Sequence, residues 1–384
     1  MRILLVTPSF MPAHRYGGTT QSIYDLSFHL ASNNQVVVLT TNQNASHHLN
    51  VKVNVKIDFN GIKVIYHRIT IFKKFFCSID FVKSIFNETP NSDVVHIQSI
   101  FFLPAFFASI ACRWHNVPYV VSPRGALVRK IFNKSRFFKL IWMFLFGKSI
   151  IRNAQSIITT SFWESKSLEQ MGFDYKEKCV IPNGVSGVNK AYLSTDIEIP
   201  SRYILFVGRI SYIKGLDRLI ESLIYIDKSI KLLVVGNDEE KYKGVIEQKV
   251  KALGFESRVI FVGEVSDEKW FLYEKALVTI LPSYSENFGN VVLEAMSAGC
   301  PVVVTSEVGA AYVVEKYKSG EVSNGESLDL SEKINRISNN KDLNEIYSRN
   351  GFNAVKNYFS WEDIIKIYEK HYKSTIKRGG KNEK

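Results

Sequence analysis

Short runs of β-branched and other apolar residues alternate with helix-like segments along nearly the whole chain, and this alternation limits the fold more than any other feature. Six of these runs are RILLVTP (2–8), QVVVLTT (35–41), DVVHIQS (93–99), YILFVGR (203–209), KLLVVGN (231–237) and PVVVTS (301–306). Near-continuous apolar strands separated by helices indicate parallel sheets that are covered on both faces. The pattern therefore predicts an α/β protein with two doubly wound, Rossmann-like domains in tandem.

The chain length and a change of composition near residue 190 locate the boundary between the two domains. A chain of 384 residues exceeds what one hydrophobic core usually organises. Proline, glycine, serine and asparagine accumulate in IPNGVSGVNKAYLSTDIEIPSR, residues 181–202. We therefore predict a first domain over 1–190 and a second over 191–355. A helix over 356–376 is expected to pack back toward the first domain, and residues 377–384 are expected to form a disordered tail.

The positive charge of the chain lies in its first half. Residues 1–195 contain 22 Lys and Arg against 9 Asp and Glu, and no acidic residue occurs between Asp93 and Glu164. Within that gap, RKIFNKSRFFKLIWMFLFGKSIIR (129–152) interleaves seven basic residues with bulky apolar ones. This pattern is typical of a basic amphipathic helix on an anionic membrane surface, and equally of a core helix with a solvated basic face. Nucleic-acid binding has less support, because no recognisable binding module accompanies the charge.

Neither the start of the chain nor its cysteines indicate secretion. The opening residues MRILLVTPSF contain an apolar run that is too short for a signal sequence or a membrane span. We therefore expect the protein in the cytoplasm. Its cysteines are scattered without a C-x-x-C pair, which favours reduced thiols over disulfides or a zinc site. They are Cys77, Cys112, Cys179 and Cys300.

Two glutamates lie close together after a predicted strand of the second half. The segment PSYSENFGNVVLEAMSAGCPVVVT (282–305) places Glu286 and Glu294 on either side of seven mostly small or apolar residues. If both glutamates were helical, eight steps of about 100° would leave them about 80° apart around the axis. We therefore place Glu286 in a loop and Glu294 one turn into a helix that begins near Asn290.

This arrangement would place backbone N–H groups beside the two carboxylates. The N–H groups of Phe288, Gly289 and Asn290 would lie at a helix N-terminus, where the helix dipole favours a phosphate group. The alternative interpretation is that Glu286 and Glu294 only complement the helix dipole and contact solvent.

Two further loops follow predicted strands and carry residues suited to ligand binding. YILFVGRISYIKGLD (203–217) presents Arg209 and Lys214 in a glycine-bounded loop. Arginine can bind two oxygens of a diphosphate and lysine can act as a point charge, although an exposed pair of loop cations is the alternative. In PAHRYGGTTQ (12–21), Gly17 and Gly18 would let the backbone come close to a ligand, unless this is a plain flexible loop.

Together these motifs resemble those of glycosyltransferases of family 4, which have the GT-B fold. The resemblance covers nearly the whole chain. The matching segments are RYGGTTQSIYDLSFHLA (15–31), VIPNGV (180–185), FVGRISYIKGLDRLIES (206–222), VIFVGEV (259–265) and LPSYSENFGNVVLEAMSAGCPVV (281–303). The resemblance implies an acceptor-side first domain, a second domain that binds a nucleotide sugar, and an active site in the cleft between them.

The resemblance also assigns roles to individual residues. Glu286 would face the hydroxyls of the donor sugar, and Glu294 would face the ribose of the nucleotide. Arg209 and Lys214 would hold the diphosphate. The base would lie against the FVGEV segment. The donor-binding residues implied in this way are Gly17, Gly18, Gly263, Glu264, Val265, Asn287, Phe288, Gly289, Asn290 and Glu294.

The acceptor side departs from the family pattern at two positions. SPRG (122–125) has Arg124 where family members commonly carry a histidine, and His96 is followed by Gln98 where many read H-x-H. The catalytic candidates implied by the resemblance are Glu286, Arg209, Lys214 and His96. His96 would orient the transferred sugar or the acceptor. Its alternative is a hydrogen-bonded residue at a strand end. Arg124 and Arg15 are the acceptor-side candidates.

The reaction implied by the resemblance is transfer of a hexose from a UDP- or GDP-sugar with retention of anomeric configuration. The departing phosphate would itself take the acceptor's proton. The expected acceptor is a lipid-linked saccharide of a capsule or O-antigen type polysaccharide at the inner face of the cell membrane. No D-x-D occurs in the chain, so we expect neither a metal ion nor another cofactor.

Three other functions are weighed against this one. A dinucleotide-dependent oxidoreductase or epimerase lacks support because no G-x-G occurs in the chain. A glycoside hydrolase could use Glu286 and Glu294 as its carboxylate pair, although it would have no diphosphate for the cationic loop to hold. A non-enzymatic protein that binds a membrane surface is the third possibility.

Overall fold

Two parallel sheets covered by helices organise the chain in the computed structural model. The structure describes residues 1–45, 47–69, 76–128, 136–187, 199–238, 241–265 and 267–380. Met1–Gly184 and Trp361–Lys384 form the first unit, and Val185–Ser360 form the second. The tandem Rossmann-like architecture predicted from the alternating apolar runs is confirmed.

The described part of the first unit contains an eight-stranded sheet with the order β10-β9-β8-β7-β1-β2-β6-β5. All its pairs are parallel except β5 with β6, and β3 and β4 form a separate short antiparallel pair. The strands are β1 Arg2–Val6, β2 Gln35–Thr41, β3 Gln43–Asn44, β4 His47–His48, β5 Lys56–Phe59, β6 Ile62–His67, β7 Val94–Gln98, β8 Tyr119–Ser122, β9 Ser156–Thr159 and β10 Lys178–Val180.

The second unit contains a parallel six-stranded sheet with the order β13-β12-β11-β14-β15-β16 among its described residues. Most residues of its central strands are buried, as expected for strands covered on both faces. The strands are β11 Tyr203–Val207, β12 Lys231–Val235, β13 Val259–Gly263, β14 Val278–Leu281, β15 Val302–Thr305 and β16 Gly320–Ser323.

Helices pack on both sheets. Those of the first unit are Gly18–Ala31, Ile79–Glu88, Leu103–Trp114, Arg136–Trp142, Lys148–Asn153, Phe162–Gln170 and Trp361–Arg378, with a π-helical turn at Met143–Gly147. Those of the second unit are Leu216–Ser222, Lys243–Ala252, Glu268–Lys275, Asn290–Ser297, Ala311–Tyr317, Ser327–Ser338 and Lys341–Tyr358. Short 3₁₀ turns occur at His14–Tyr16, Thr89–Asn91, Tyr212–Lys214 and Leu223–Tyr225.

The C-terminal helix Trp361–Arg378 belongs to the first unit. It buries a stripe of apolar and aromatic side chains in the core formed by one face of the eight-stranded sheet. Its buried members are Trp361, Ile364, Ile365, Tyr368 and Tyr372. The helix therefore completes the core of a unit whose other residues lie at the opposite end of the sequence.

The observed boundaries differ in detail from the predicted ones. The first unit ends at Gly184 rather than residue 190, and the returning helix begins at Trp361 rather than residue 356. That helix extends through Lys377 to Arg378, and residues 381–384 of the predicted tail lie outside the described residues. Residues 188–198 of the predicted join also lie outside them.

The four thiols are free, and three of them are buried. Burial raises the pKa of Cys300 to about 12, so this thiol is an inert part of the core rather than a nucleophile. Across the residues that the structure describes, no helix is both long and apolar enough to cross a membrane.

The returning helix offers a test of its contribution to stability. Ile364 is fully buried on this helix, and we expect Ile364→Ala to lower the free energy of unfolding by about 2–5 kcal/mol through lost burial and a cavity. Ile367 lies on the same helix with its side chain exposed, so Ile367→Ala is the matched control and should change stability by roughly 0.5 kcal/mol or less. Urea unfolding measures both, and equal effects would contradict the packing described here.

Candidate functional site

The strand order of the second unit reverses between β11 and β14. In open parallel sheets, ligands bind beyond the carboxyl ends of the strands at such a reversal. Arg209 and Lys214 follow β11, and Glu286 follows β14. The fold thus brings together two segments that are far apart in the sequence, at the edge where a ligand site is expected.

Lys214 and Glu286 form an ion pair at this edge. The Nζ of Lys214, at the end of the 3₁₀ turn Tyr212–Lys214, donates to Oε2 of Glu286. Their side chains are only 16% and 21% exposed, so the pair is largely shielded from solvent but still reachable. Arg209 is half-buried just after β11. The structure therefore places a cation and a carboxylate in contact where the sequence predicted a role for each separately.

Backbone contacts hold the two loops together. The N–H of Tyr284 donates to the carbonyl of Ile213 at 2.9 Å. Gly215 has a φ of 68°, and a Cβ at this position would lie 2.0 Å from the carbonyl oxygen of Pro282. Only glycine fits both the left-handed conformation and the close approach. The Lys214 turn is therefore seated directly against the loop that carries Glu286.

The loop after β14 is also held from the side of β15. The N–H of Glu286 donates to the carbonyl of Glu307 at 3.0 Å, and the N–H of Gly309 donates to the carbonyl of Glu286 at 2.9 Å. Gly289 has a φ of 95°, and the helix begins at Asn290, as predicted. A Cβ on Gly289 would lie 2.9 Å from a methyl carbon of Leu281. This turn brings the start of the helix close to Glu286.

Glu294 lies in the helix Asn290–Ser297 and contacts two residues of the preceding helix. Its Oε2 accepts from the hydroxyl of Tyr273 at 3.0 Å, and its Oε1 lies 3.1 Å from Nζ of Lys269. Burial, followed by the charge of Glu294, holds the pKa of Tyr273 well above its usual range, so the hydroxyl stays a donor. Glu294 is thereby a carboxylate of fixed orientation.

Sequence reasoning missed both partners of Glu294. Lys269 and Tyr273 are four residues apart in the helix Glu268–Lys275 and therefore share one of its faces. That spacing is visible in the sequence. Nothing in the sequence, however, indicates which neighbouring helix this face meets.

A stack of side chains supports the same loops. The guanidinium carbon of Arg218 lies 3.7 Å from the centre of the Tyr284 ring, and the Tyr284 hydroxyl donates to Asp217 at 2.7 Å. The ring of Tyr212 stacks on the ring of Tyr284, with 4.8 Å between the ring centres. Arg218 also lies 3.7 Å from a carboxylate oxygen of Glu307. Cation–π and ring contacts therefore connect the segments that follow β11 and β14, and an ion pair connects them to the segment after β15.

The remaining donor-side candidates of the second unit lie in two places. Gly263 ends β13 with a φ of 90°, and its carbonyl accepts from the N–H of Gly236 at 2.7 Å. Glu264 is exposed, and Val265 packs partly against the core. The others lie in the turn between Glu286 and the following helix: Phe288 is buried, and Asn287 and Asn290 are half-buried.

The first unit has its own reversal of strand order, between β1 and β7. Gly17, with a φ of 72°, precedes the helix Gly18–Ala31 in the loop after β1. Gly18 is exposed. Arg15 is also exposed, and its backbone N–H donates to the side chain of Asn44 at 3.1 Å. These three candidates therefore lie at the edge of the first sheet where a ligand site is expected.

His96 lies in β7, fully buried, and both of its ring nitrogens are hydrogen-bonded. Nδ1 lies 2.6 Å from the hydroxyl of Tyr372, and Nε2 lies 2.8 Å from the hydroxyl of Ser122. Burial, followed by the charges of Arg124 and His371, holds the pKa of His96 well below its usual range. The neutral ring lies at the centre of a buried hydrogen-bond network. This geometry fits the alternative interpretation of His96 as a hydrogen-bonded residue at a strand end. A catalytic role for His96 stays a prediction.

Arg124 lies just beyond β8 with a φ of 54°, an uncommon conformation for a residue other than glycine. Its Nε donates to Oε1 of Gln98 at 2.7 Å, and its Nη1 donates to Oδ1 of Asn183 at 2.9 Å. The next N–H, of Gly125, donates to the buried carboxyl group of Glu164. Arg124 and Gln98, the two departures from the family pattern, are therefore in direct contact.

Burial raises the pKa of Glu164, although the N–H groups of Gly125 and Thr160 donate to its carboxyl group.

Within the described ranges, no cluster of three or more His, Cys, Asp or Glu side chains could hold a metal ion.

Comparison with known proteins gives matches over most of the chain. The model for Glycosyltransferase Family 4 matches residues 16–186, and the model for Glycosyl transferases group 1 matches residues 194–354. The capsular polysaccharide biosynthesis glycosyltransferase CapM of Staphylococcus aureus is 33% identical over 178 residues, which are 44% of this chain and 46% of that protein. The chain thus spans about half the length of curated relatives such as this one.

Solved structures resemble the whole chain. Anabaena HepE in complex with UDP has a TM-score of 0.77 at 20% identity, covering 97% of this chain and 100% of that one. Sucrose-phosphate synthase from Thermosynechococcus elongatus has a TM-score of 0.78 at 21% identity, covering 98% of this chain and 100% of that one. At these identities the likeness shows the fold. The chain has the GT-B fold, and the two models that match it in sequence order are both models of glycosyltransferases.

Proposed function

We propose that this glycosyltransferase moves a hexose from a UDP- or GDP-linked sugar to a lipid-linked saccharide, with retention of anomeric configuration, in the synthesis of a surface polysaccharide. The observation that carries the proposal is the contact of Lys214 with Glu286 beside the start of the helix Asn290–Ser297. A nucleotide sugar combines a diphosphate with sugar hydroxyls, and this edge of the sheet offers a partner for each.

The diphosphate is the leaving group, and its negative charge grows as the bond to the sugar breaks. Lys214, Arg209 and the N–H groups around Gly289 supply preorganised positive potential at the carboxyl ends of β11 and β14. A diphosphate offers Lys214 several charged oxygens in place of the single carboxylate. Glu286 can then accept hydrogen bonds from sugar hydroxyls. Lys214 thus suits the diphosphate of the donor, and Glu286 suits its sugar.

The nucleotide would lie along the same edge of the second unit. Glu294, oriented by Lys269 and Tyr273, has acceptor capacity left for the two hydroxyls of a ribose. The exposed backbone around Gly263 would receive the base. The complexes of Anabaena HepE with UDP and with UDP-glucose support a uridine nucleotide.

The acceptor is assigned from the first unit and from the relatives. CapM is named for capsular polysaccharide biosynthesis, and the related LpsE of Rhizobium meliloti is named for lipopolysaccharide core biosynthesis. We propose a lipid-linked acceptor because the basic first half of this chain suits an anionic membrane surface. We place the protein in the cytoplasm, attached to the inner face of the membrane. Arg124, Arg15 and the His96 network would then serve the acceptor.

A glycoside hydrolase based on Glu286 and Glu294 is the weaker alternative. It would leave Lys214 and Arg209 without a diphosphate to bind. No described observation favours a purely non-enzymatic role over transfer.

The diphosphate assignment is tested by Lys214→Ala and Arg209→Ala. Each variant deletes a charged contact to the leaving group, which corresponds to roughly 2–4 kcal/mol, or a loss of about 30- to 900-fold in kcat/KM. The measurement is release of nucleoside diphosphate from a panel of nucleotide sugars. Lys228→Ala removes an exposed lysine of the same unit and should leave the rate unchanged. Rates within a few-fold of the parent in both site variants would contradict the assignment.

The orientation of Glu294 is tested by Tyr273→Phe, which removes one hydroxyl and keeps the ring. We expect KM for the donor to rise roughly 3- to 10-fold with little change in kcat, because ribose contacts contribute to ground state and transition state alike. Tyr203→Phe is the matched control, since its buried hydroxyl donates to the carbonyl of Leu272 at 2.8 Å and does not contact Glu294. If both variants show the same KM, Tyr273 has only a structural role.

We also predict that the reaction does not require a metal ion. The cationic side chains Lys214 and Arg209 would supply the positive charge that a metal ion provides in other transferases. Donor hydrolysis should therefore persist in EDTA and change less than about twofold on adding Mg²⁺ or Mn²⁺. Strict dependence on either ion would show that the mechanism is wrong.

A further inference from the structure

The segment Arg136–Asn153 presents a row of large apolar side chains to solvent. Phe137, Phe138 and Phe144 are 70–76% exposed. Leu140, Ile141 and Leu145 are 42–54% exposed. Six large apolar side chains within nine residues form a patch of the kind that marks an interaction site on soluble proteins. We call these six residues the apolar face.

The apolar face is held in place by the opposite side of the same segment. Trp142, Met143, Ile150 and Ile151 are buried in the core of the first unit. The indole N–H of Trp142 donates to the carbonyl of Ile100 at 3.0 Å. The exposed residues therefore lie on a segment whose other side is fully packed, and they have no remaining place in that core.

The charges around the apolar face identify its occupant. Arg136, Lys139, Lys148 and Arg152 lie in the same segment, and it contains no acidic residue. The nearest carboxylates in the sequence are Asp93 and Glu164. In the structure, Nε of Arg152 lies 3.4 Å from Oδ2 of the exposed Asp174. The apolar side chains are therefore flanked by an excess of cations, which matches an anionic bilayer with its apolar interior beneath negative headgroups. A protein partner would need an acidic rim of matching shape, and nothing in the chain specifies one.

We propose that the apolar face inserts into the boundary between the headgroups and acyl chains of an anionic bilayer. Attachment then has two parts: the cations attract the protein to the surface, and the inserted side chains retain it there. Any contribution of a lipid-linked acceptor to this attachment rests on the proposed function. The insertion of the apolar face does not depend on that function. Lys130 and Lys134, which belong to the predicted basic segment, lie outside the described residues.

The test is cosedimentation of the full chain with vesicles of phosphatidylcholine containing 30% phosphatidylglycerol, at 50 and 500 mM NaCl. The parent should bind at both salt concentrations, more weakly at the higher one. The triple variant Phe137→Ser, Phe138→Ser, Phe144→Ser should lose at least tenfold in partition coefficient at both. Reversal of charge at Arg136 and Lys139 to Glu should weaken binding mainly at 50 mM NaCl.

The control variant removes three exposed apolar side chains of the second unit, Ile224→Ser, Leu328→Ser and Phe352→Ser. It should bind vesicles as the parent does. The proposal is overturned if the parent does not sediment with anionic vesicles or if the apolar-face triple variant binds like the parent. It is also overturned if gel filtration shows a parent dimer that this variant abolishes, because a second copy would then occupy the face.

Donor hydrolysis without vesicles separates this proposal from the proposed function. The apolar-face variant should hydrolyse nucleotide sugars at the parental rate, which also shows that it is folded. Hydrolysis that is absent in the parent, with vesicle binding retained, would overturn the proposed function and leave the membrane attachment standing. Hydrolysis by the parent without vesicle binding would overturn the membrane attachment and leave the proposed function standing.

Discussion

The close approach of the loop after β11 to the loop after β14 is the constraint on which the candidate donor site depends. Gly215 makes it possible, because a Cβ there would collide with the carbonyl of Pro282. A hydrogen bond between the backbones of Tyr284 and Ile213 then holds the loops in register. Lys214 and Glu286 contact each other as a result, with 71 residues between them in the chain. The chemistry of the site follows from a backbone contact.

Glu286 and Glu294 each form an ion pair with a different lysine, and this separates their roles. Glu286 is paired with Lys214, whose turn follows the strand at the reversal of the sheet. Glu294 is paired with Lys269 and receives the hydroxyl of Tyr273 from a neighbouring helix. One carboxylate thus lies beside the proposed phosphate cation, and the other belongs to a rigid helix pair. That division suits a donor with a sugar at one end and a ribose at the other.

The first unit depends on a different long-range interaction. Tyr372, near the end of the chain, places its hydroxyl 2.6 Å from His96 in β7, and the rest of the helix fills the core beneath the sheet. His96, Gln98 and Arg124 then form one hydrogen-bonded group at the carboxyl ends of β7 and β8. Burial keeps the His96 ring neutral, so the group positions Arg124 without adding charge of its own. The C-terminal helix is therefore part of the network that positions Arg124, one of the predicted acceptor-side residues.

The sequence by itself determined the features that are local or periodic. Apolar runs of strand length gave the two parallel sheets, and the glycine before Asn290 gave the start of the helix that carries Glu294. The spacing of the two glutamates, with the other matching segments, gave the resemblance to glycosyltransferase family 4. These features depend on residues close together in the chain, so pattern and propensity are enough to predict them.

Only the tertiary structure decided which side chains meet. Lys269 and Tyr273 gave a visible i, i+4 spacing, yet their partner Glu294 depends on how two helices pack. The sequence suits both a catalytic and a structural role for His96, and only the fold shows that Tyr372 and Ser122 contact its two ring nitrogens. The basic segment fitted a membrane helix and a core helix alike. The fold buries Trp142 and Ile150 and leaves Phe138 and Phe144 exposed, so the described part of the segment has a core side and a solvent side. Such outcomes rest on contacts between distant residues, which a linear pattern does not encode.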